Sequence, residues 1–130
     1  MHGVEQILPS VRLGSGDPDG VSQEALRVAQ TIASACQPIA VLLFGSAAEG
    51  KATDQSDLDF VVIVKEEQDV IGKRKLLRKK MPLSSFAVDL IFISEAEFNR
   101  KRQLGGVCMV SWEEGRCLYA EPGRESEFTK

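Results

Sequence analysis

Three aspartates in this chain stand where a carboxylate needs a partner. Asp57 and Asp59 flank Leu58 at the head of the apolar run Phe60-Val61-Val62-Ile63-Val64, and Asp89 lies inside another, Phe86 to Ile93. Residues two apart on a strand project from the same face, so Asp57 and Asp59 point together. Like charges at that range repel, and one carboxyl is driven toward protonation unless a cation neutralises the pair. Asp59 is followed only by apolar residues, which puts it on the core side of its strand. The strand around Asp89 is apolar on both faces, where a lone carboxylate is costly unless paired or metal-bound. If the two strands are neighbours, Asp89 completes a three-carboxylate cluster. Magnesium suits such a cluster, because it prefers carboxylate oxygens and fills its shell with waters and substrate phosphates. Each aspartate also has an ordinary reading: a turn at a strand start for Asp57, and buried ion pairs for Asp59 and Asp89.

Upstream, Gly45-Ser46 follows the apolar run Ile39 to Phe44. Gly45 lets the backbone approach a bulky ligand closely. Ser46 and the N–H groups of a helix start could hold an anion such as a phosphate. Ser46 with Glu49 also forms a capping box that needs no ligand.

These residues need a scaffold, and hydrophobic periodicity supplies one. Apolar residues at helical spacing, Leu26, Ala29, Ile32 and Ala33, follow Ser22 and end at Pro38. Ile39 to Phe44 reads as a strand buried on both faces. Gly45 closes it, a short helix starts at Ser46, and residues 51–56 form a polar loop. Asp57 to Val64 is the second strand, Gln68 to Met81 a helix stopped by Pro82, and Phe86 to Ile93 the third strand. Ser94 and Glu97 make a capping box for a helix reaching about Gln103, before Gly105-Gly106. Val107 to Trp112 fits a short helix or a strand equally. Arg116 to Tyr119 reads as a small edge strand. The order predicts one α/β (α+β) domain with a small sheet flanked by helices. Residues 1–20, rich in Gly, Pro, Ser and Asp, read as a loosely ordered arm. Residues 21–120 form the domain, and residues 121–130 read as a frayed tail.

Composition narrows the function. At 130 residues with 43% hydrophobic content, the chain can build one core. The net charge of −3 makes no global case for nucleic-acid binding. Cys36, Cys108 and Cys117 are odd in number and lack C-x-x-C spacing, which argues against a disulfide framework or a zinc site. His2 is the single histidine, so a Ser-His-Asp or Cys-His hydrolase is close to excluded. No stretch approaches the roughly 18 apolar residues needed to span a bilayer, and no signal peptide is read at the N-terminus. A soluble cytoplasmic protein is the expectation.

The residues Gly45-Ser46-Ala47-Ala48-Glu49-Gly50, then Ser56-Asp57-Leu58-Asp59, then Asp89, resemble the DNA polymerase beta-like nucleotidyltransferase superfamily. The match covers about residues 39–93. The ending Glu114-Gly115-Arg116-Cys117-Leu118-Tyr119 also looks like the close of compact members. The chain resembles a minimal nucleotidyltransferase, the type often paired with a HEPN-domain protein in toxin–antitoxin modules. The resemblance implies a nucleotidyltransferase fold, a mixed sheet flanked by helices. It implies that Gly45, Ser46 and Ser56 bind the nucleotide, with Ser46 on the triphosphate. Asp57 and Asp59 would bind Mg2+, and Asp89 would complete the metal site or activate the acceptor. The implied reaction moves a nucleoside monophosphate from an NTP, ATP foremost, to a hydroxyl, which in the paired systems is a tyrosine of the toxin. Many members carry an Arg just before the second glycine, where this chain has Glu49. That departure leaves open a domain that keeps the fold and acts by partner contact without turnover.

One further feature stands apart. Lys73, Arg74, Lys75, Arg78, Lys79 and Lys80 place six of the chain's 16 bases within eight positions. They read as a solvated helix face, or as a patch for an acidic partner or RNA. No aromatics interleave with them, so the stacking signature of single-strand binding is missing.

Overall fold

A computed structural model of the chain describes residues 21–45, 48, 57–81 and 87–128. Within these residues the helices and strands that periodicity predicts form in order. Helix α1 spans Val21–Cys36. Its stripe Ala25, Val28, Ala29, Ile32, Ala33 and Cys36 is buried, the three-and-four spacing that puts side chains on one face. The helix closes on Gln37, which adopts φ 49° and donates its N–H to the Ala33 carbonyl at 3.0 Å. A residue in the left-handed region at this place is a common helix stop.

Strand β1, Ala40–Phe44, runs at the centre of the sheet. Strand β2, Leu58–Val64, pairs with it antiparallel, Phe44 facing Asp59. Helix α2, Asp69–Lys80, carries the chain over to β3, Val88–Ser94, which lies parallel to β2. Parallel neighbours need such a crossover. Ser94 ends β3 and caps α3, Glu95–Lys101, by accepting the Glu97 N–H at 3.3 Å. This is the serine half of the predicted capping box; the Glu97 carboxylate accepts from Arg100 instead. Helix α4, Gly106–Glu114, leads into β4, Arg116–Ala120, antiparallel to β1 at the sheet edge. Sheet order is β3-β2-β1-β4, so the sheet is mixed. A four-residue helix, α5, follows at Glu125–Phe128.

Both sheet faces are covered. Leu58, Phe60, Val62 and Val64 of β2 pack with the α1 stripe and Leu77 of α2 in one core. Val61 and Ile63 face the other way, onto Phe98 of α3, Cys108 of α4 and Phe128 of α5. Burial on both faces explains the unbroken apolar runs in these strands.

Four expectations are corrected. Residues 107–112, ambiguous in sequence, are helical within α4. Helix α3 stops at Lys101, short of Gln103. The expected frayed tail instead holds a turn and α5, and Phe128 is buried because it fills the second core. Asp89 is not buried in the middle of its strand: it is the second residue of β3, which starts at Val88, and it is exposed there. The arm at residues 1–20, the short helix expected after Ser46, the loop 51–56 and Pro82 lie outside the described residues, as do Ser46, Glu49 and Ser56.

Candidate active site

One end of the sheet collects the functional residues. Asp57 immediately precedes β2, and Asp59 is the second residue of that strand. Pairing extends one residue ahead of β3, with Leu58 N–H donating to the Ala87 carbonyl at 2.8 Å. Because β2 and β3 are parallel and in register, Asp59 lies directly beside Asp89. The three side chains share a sheet face, and each places one carboxylate oxygen within 4.8 Å of the others. The cluster inferred from sequence therefore forms. Its environment differs from the expectation, since Asp57 and Asp89 are exposed and Asp59 alone is half-buried.

This gradient decides which carboxyl is perturbed. Asp59 is held above the ordinary 3.8, first by burial, then by the charges of Asp89 and Asp57, and by a hydrogen bond with Asp89. Burial and neighbouring negative charge both disfavour the ionised form. The site carries an excess of negative charge, which a divalent cation would neutralise. The donor set fits magnesium: hard carboxylate oxygens, open on the solvent side where waters or phosphates complete the shell.

Gly45 is tied to this cluster more directly than the sequence indicated. It adopts φ 81°, a conformation favoured by glycine. A Cβ there would lie 2.7 Å from Asp59 Oδ2. Glycine thus serves the carboxylate itself, leaving room for Asp59 beneath the turn. The turn is closed by the Ala48 N–H donating to the Gly45 carbonyl at 3.1 Å, and Ala48 is buried in the first core.

Sequence reasoning missed the anchor of that turn. Arg116, at the head of β4, donates from Nε to the Ala48 carbonyl at 2.8 Å. Gly115 sets up this contact. A Cβ at Gly115 would stand 2.7 Å from the Leu43 carbonyl and 2.4 Å from that of Ser111. Its bareness lets α4 turn tightly into β4 against β1. The Glu114-Gly115-Arg116 triplet was visible, but its contact with Ala48 is long-range and has no local signal.

The chain's similarities agree with this geometry. A family model described as polymerase beta, nucleotidyltransferase, matches residues 27–114. Among curated proteins no sequence matches. A solved structure of a candidate nucleotidyltransferase from Sulfolobus solfataricus superposes with a TM-score of 0.52 at 21% identity, covering 85% of this chain and 96% of that one. At that identity the likeness speaks to fold alone, and the fold is the one described above.

Proposed function

Since the chain belongs to the polymerase beta nucleotidyltransferase family, we propose that it transfers a nucleoside monophosphate from an NTP, ATP foremost, to a hydroxyl on a partner protein. The observation that carries this reading is the convergence of Asp57, Asp59 and Asp89 within 4.8 Å at the sheet end bearing Gly45. In the proposed site these three carboxylates hold magnesium. When bound, it would neutralise the crowded carboxylates and the charge of the triphosphate.

The Gly45–Ala48 turn cradles the triphosphate, with Ser46 and Ser56 as nucleotide contacts. The acceptor oxygen attacks the α-phosphorus, and the bond to the bridging oxygen breaks in line, releasing pyrophosphate. The hydroxyl proton passes to the exposed carboxylate of Asp89. Positioning and charge neutralisation supply most of the acceleration in phosphoryl transfer. The proposed partner is a HEPN-type protein, and the module a toxin–antitoxin pair acting in the cytoplasm. Three buried thiols suit a reducing compartment. Among the described residues, no helix is long and apolar enough to cross a membrane.

A second reading has a specific observation behind it. Glu49 puts an acid where many relatives carry a base, which favours a domain that binds its partner without turnover. Calorimetry with ATP and magnesium tests the site, on wild type and on Asp57→Ala/Asp59→Ala. The reading expects binding that needs both the metal and the carboxylates. Pyrophosphate release in the presence of the partner then separates an enzyme from a silent binder. ATP binding indifferent to magnesium and to the double substitution would sink the nucleotide site.

A further inference from the structure

The six bases of α2 have an unexplained setting. None of them forms an ion pair among the described residues, and the helix's one first-turn acid is Asp69. Two of them, Arg74 and Arg78, line a groove of about 300 Å³ with Leu77 and Met81 on the α2 side and Leu90 and Phe92 on the β3 side. Arg74 lies over the Phe92 ring at 5.7 Å. A guanidinium within cation–π range of a ring keeps N–H donors available for a carboxylate. Strand β3 ends the sheet, so among the described residues its outer edge has no strand partner. Leu90 and Ile91 on that edge are only half-buried.

We propose that this groove docks an acidic, extended segment of a partner protein, which adds a strand to the outer edge of β3. An exposed edge supplies backbone hydrogen bonds, and the pockets beside it read alternate side chains. Charge complementarity sets the occupant. Side chains on the α2 face of the added strand meet Arg74 and Arg78 with apolar walls between them, which selects Glu or Asp alternating with Leu or Val. Side chains on the other face pass Asp89, about 4.8 Å away across the sheet. Acids are repelled there by the aspartate cluster, and a hydroxyl is accepted. RNA fits less well, because the groove's one aromatic, Phe92, is buried and stacking needs a free ring face. The docking itself is independent of the proposed transfer. Only the role of the hydroxyl beside Asp89 rests on that reading.

The probe is a fluorescein-labelled peptide of about nine residues, roughly 30 Å of strand at ~3.3 Å each, with Thr alternating with Glu or Leu. Fluorescence anisotropy is read without nucleotide or metal. The proposal expects saturable binding that weakens about tenfold or more in Arg74→Glu/Arg78→Glu, by lost attraction and added repulsion. Lys79→Glu/Lys80→Glu, the same charge change outside the groove, should move it by no more than about threefold. Amide exchange at residues 88–92 should slow on binding. Asp57→Asn/Asp59→Asn should bind the peptide as wild type does, so a failed nucleotide site and a failed docking site give different results. If the glutamate pair fails to fold by circular dichroism, Arg74→Gln/Arg78→Gln replaces it with the same expected direction. Equal loss in both lysine and arginine pairs, equal binding of a shuffled peptide, or tighter binding of a single-stranded RNA of similar length would overturn the proposal.

Discussion

Replacing Asp59 with asparagine should stabilise the metal-free protein while abolishing its response to magnesium. Two unit charges 4.8 Å apart repel by about 1 kcal/mol in water and about 3.5 kcal/mol at an effective dielectric of ~20. Asp59 faces two such neighbours, both exposed, so the lower end of that range applies to each. With both neighbours exposed and screened by solvent, Asp59→Asn should gain about 1–2 kcal/mol in EDTA. Asparagine has nearly the same shape and can donate to Asp89, so little packing is lost. For a domain of this size the gain corresponds to roughly 4–8 °C in Tm.

The pH dependence follows from the same charge. Asp59 has a folded pKa above its ordinary 3.8, so its favourable contribution is present below 3.8 and lost as pH rises through the raised value. The advantage of the variant should therefore be small in acid and grow toward neutral pH. Magnesium at about ten times its Kd should stabilise wild type by about 1.4 kcal/mol and leave the variant unmoved. Differential scanning fluorimetry across pH, with EDTA and with magnesium, reads all of these at once. A lower Tm for Asp59→Asn in EDTA would refute the reasoning, because it would make Asp59 a satisfied structural anchor.

Gly45→Ala should lower stability by about 1–3 kcal/mol from the positive φ alone, and should weaken magnesium binding as its Cβ displaces Asp59. Melting and metal titration check the two effects, and an unchanged metal affinity would separate the turn from the cluster. Arg116→Ala should cost about 1 kcal/mol through the orphaned Ala48 carbonyl, and should raise KM for the nucleotide more than it lowers kcat. Steady-state pyrophosphate release reads this split, with Arg116→Lys expected to recover part of it. Burial pushes the thiol of Cys36 up to about 11 and that of Cys117 to about 12. Both should resist a disulfide reagent at pH 8 in the native state and react on unfolding in guanidinium. Fast native labelling of either would contradict their packing.

What could be read from sequence was what repeats locally. The strands carrying the site announce themselves as apolar runs, and the spacing of Asp57 and Asp59 fixes their shared face without knowledge of the fold. Helix α1 shows its buried stripe in the same way. The ambiguity of α4 has a physical source: Cys108 and Ser111 are buried while Val107 and Met109 are exposed, so no apolar stripe marks its inner face. Phe128 was misjudged because one aromatic in a polar tail says nothing of the cavity it fills. The burial attributed to Asp89 failed on a boundary, since the strand begins one residue before it. The Arg116–Ala48 bond joins residues 68 apart, a distance over which periodicity carries no information.

The mixture of strand directions is what turns these separate signals into a site. Strand β1 runs toward Gly45, and its antiparallel neighbours β2 and β4 begin at that same end, with Asp59 opposite Phe44 and Arg116 opposite Leu43. Strand β3 also begins there because it is parallel to β2. Had β2 and β3 formed a simple hairpin, Asp89 would stand at the far end of a seven-residue strand, roughly 20 Å away at ~3.3 Å per residue. The crossover through α2 is therefore a requirement of the carboxylate cluster. It also sets the basic helix beside the sheet edge whose first residues carry Asp89. One connection builds the carboxylate cluster on one face of β3 and the positively charged groove on the other. A partner strand laid along that edge would meet both.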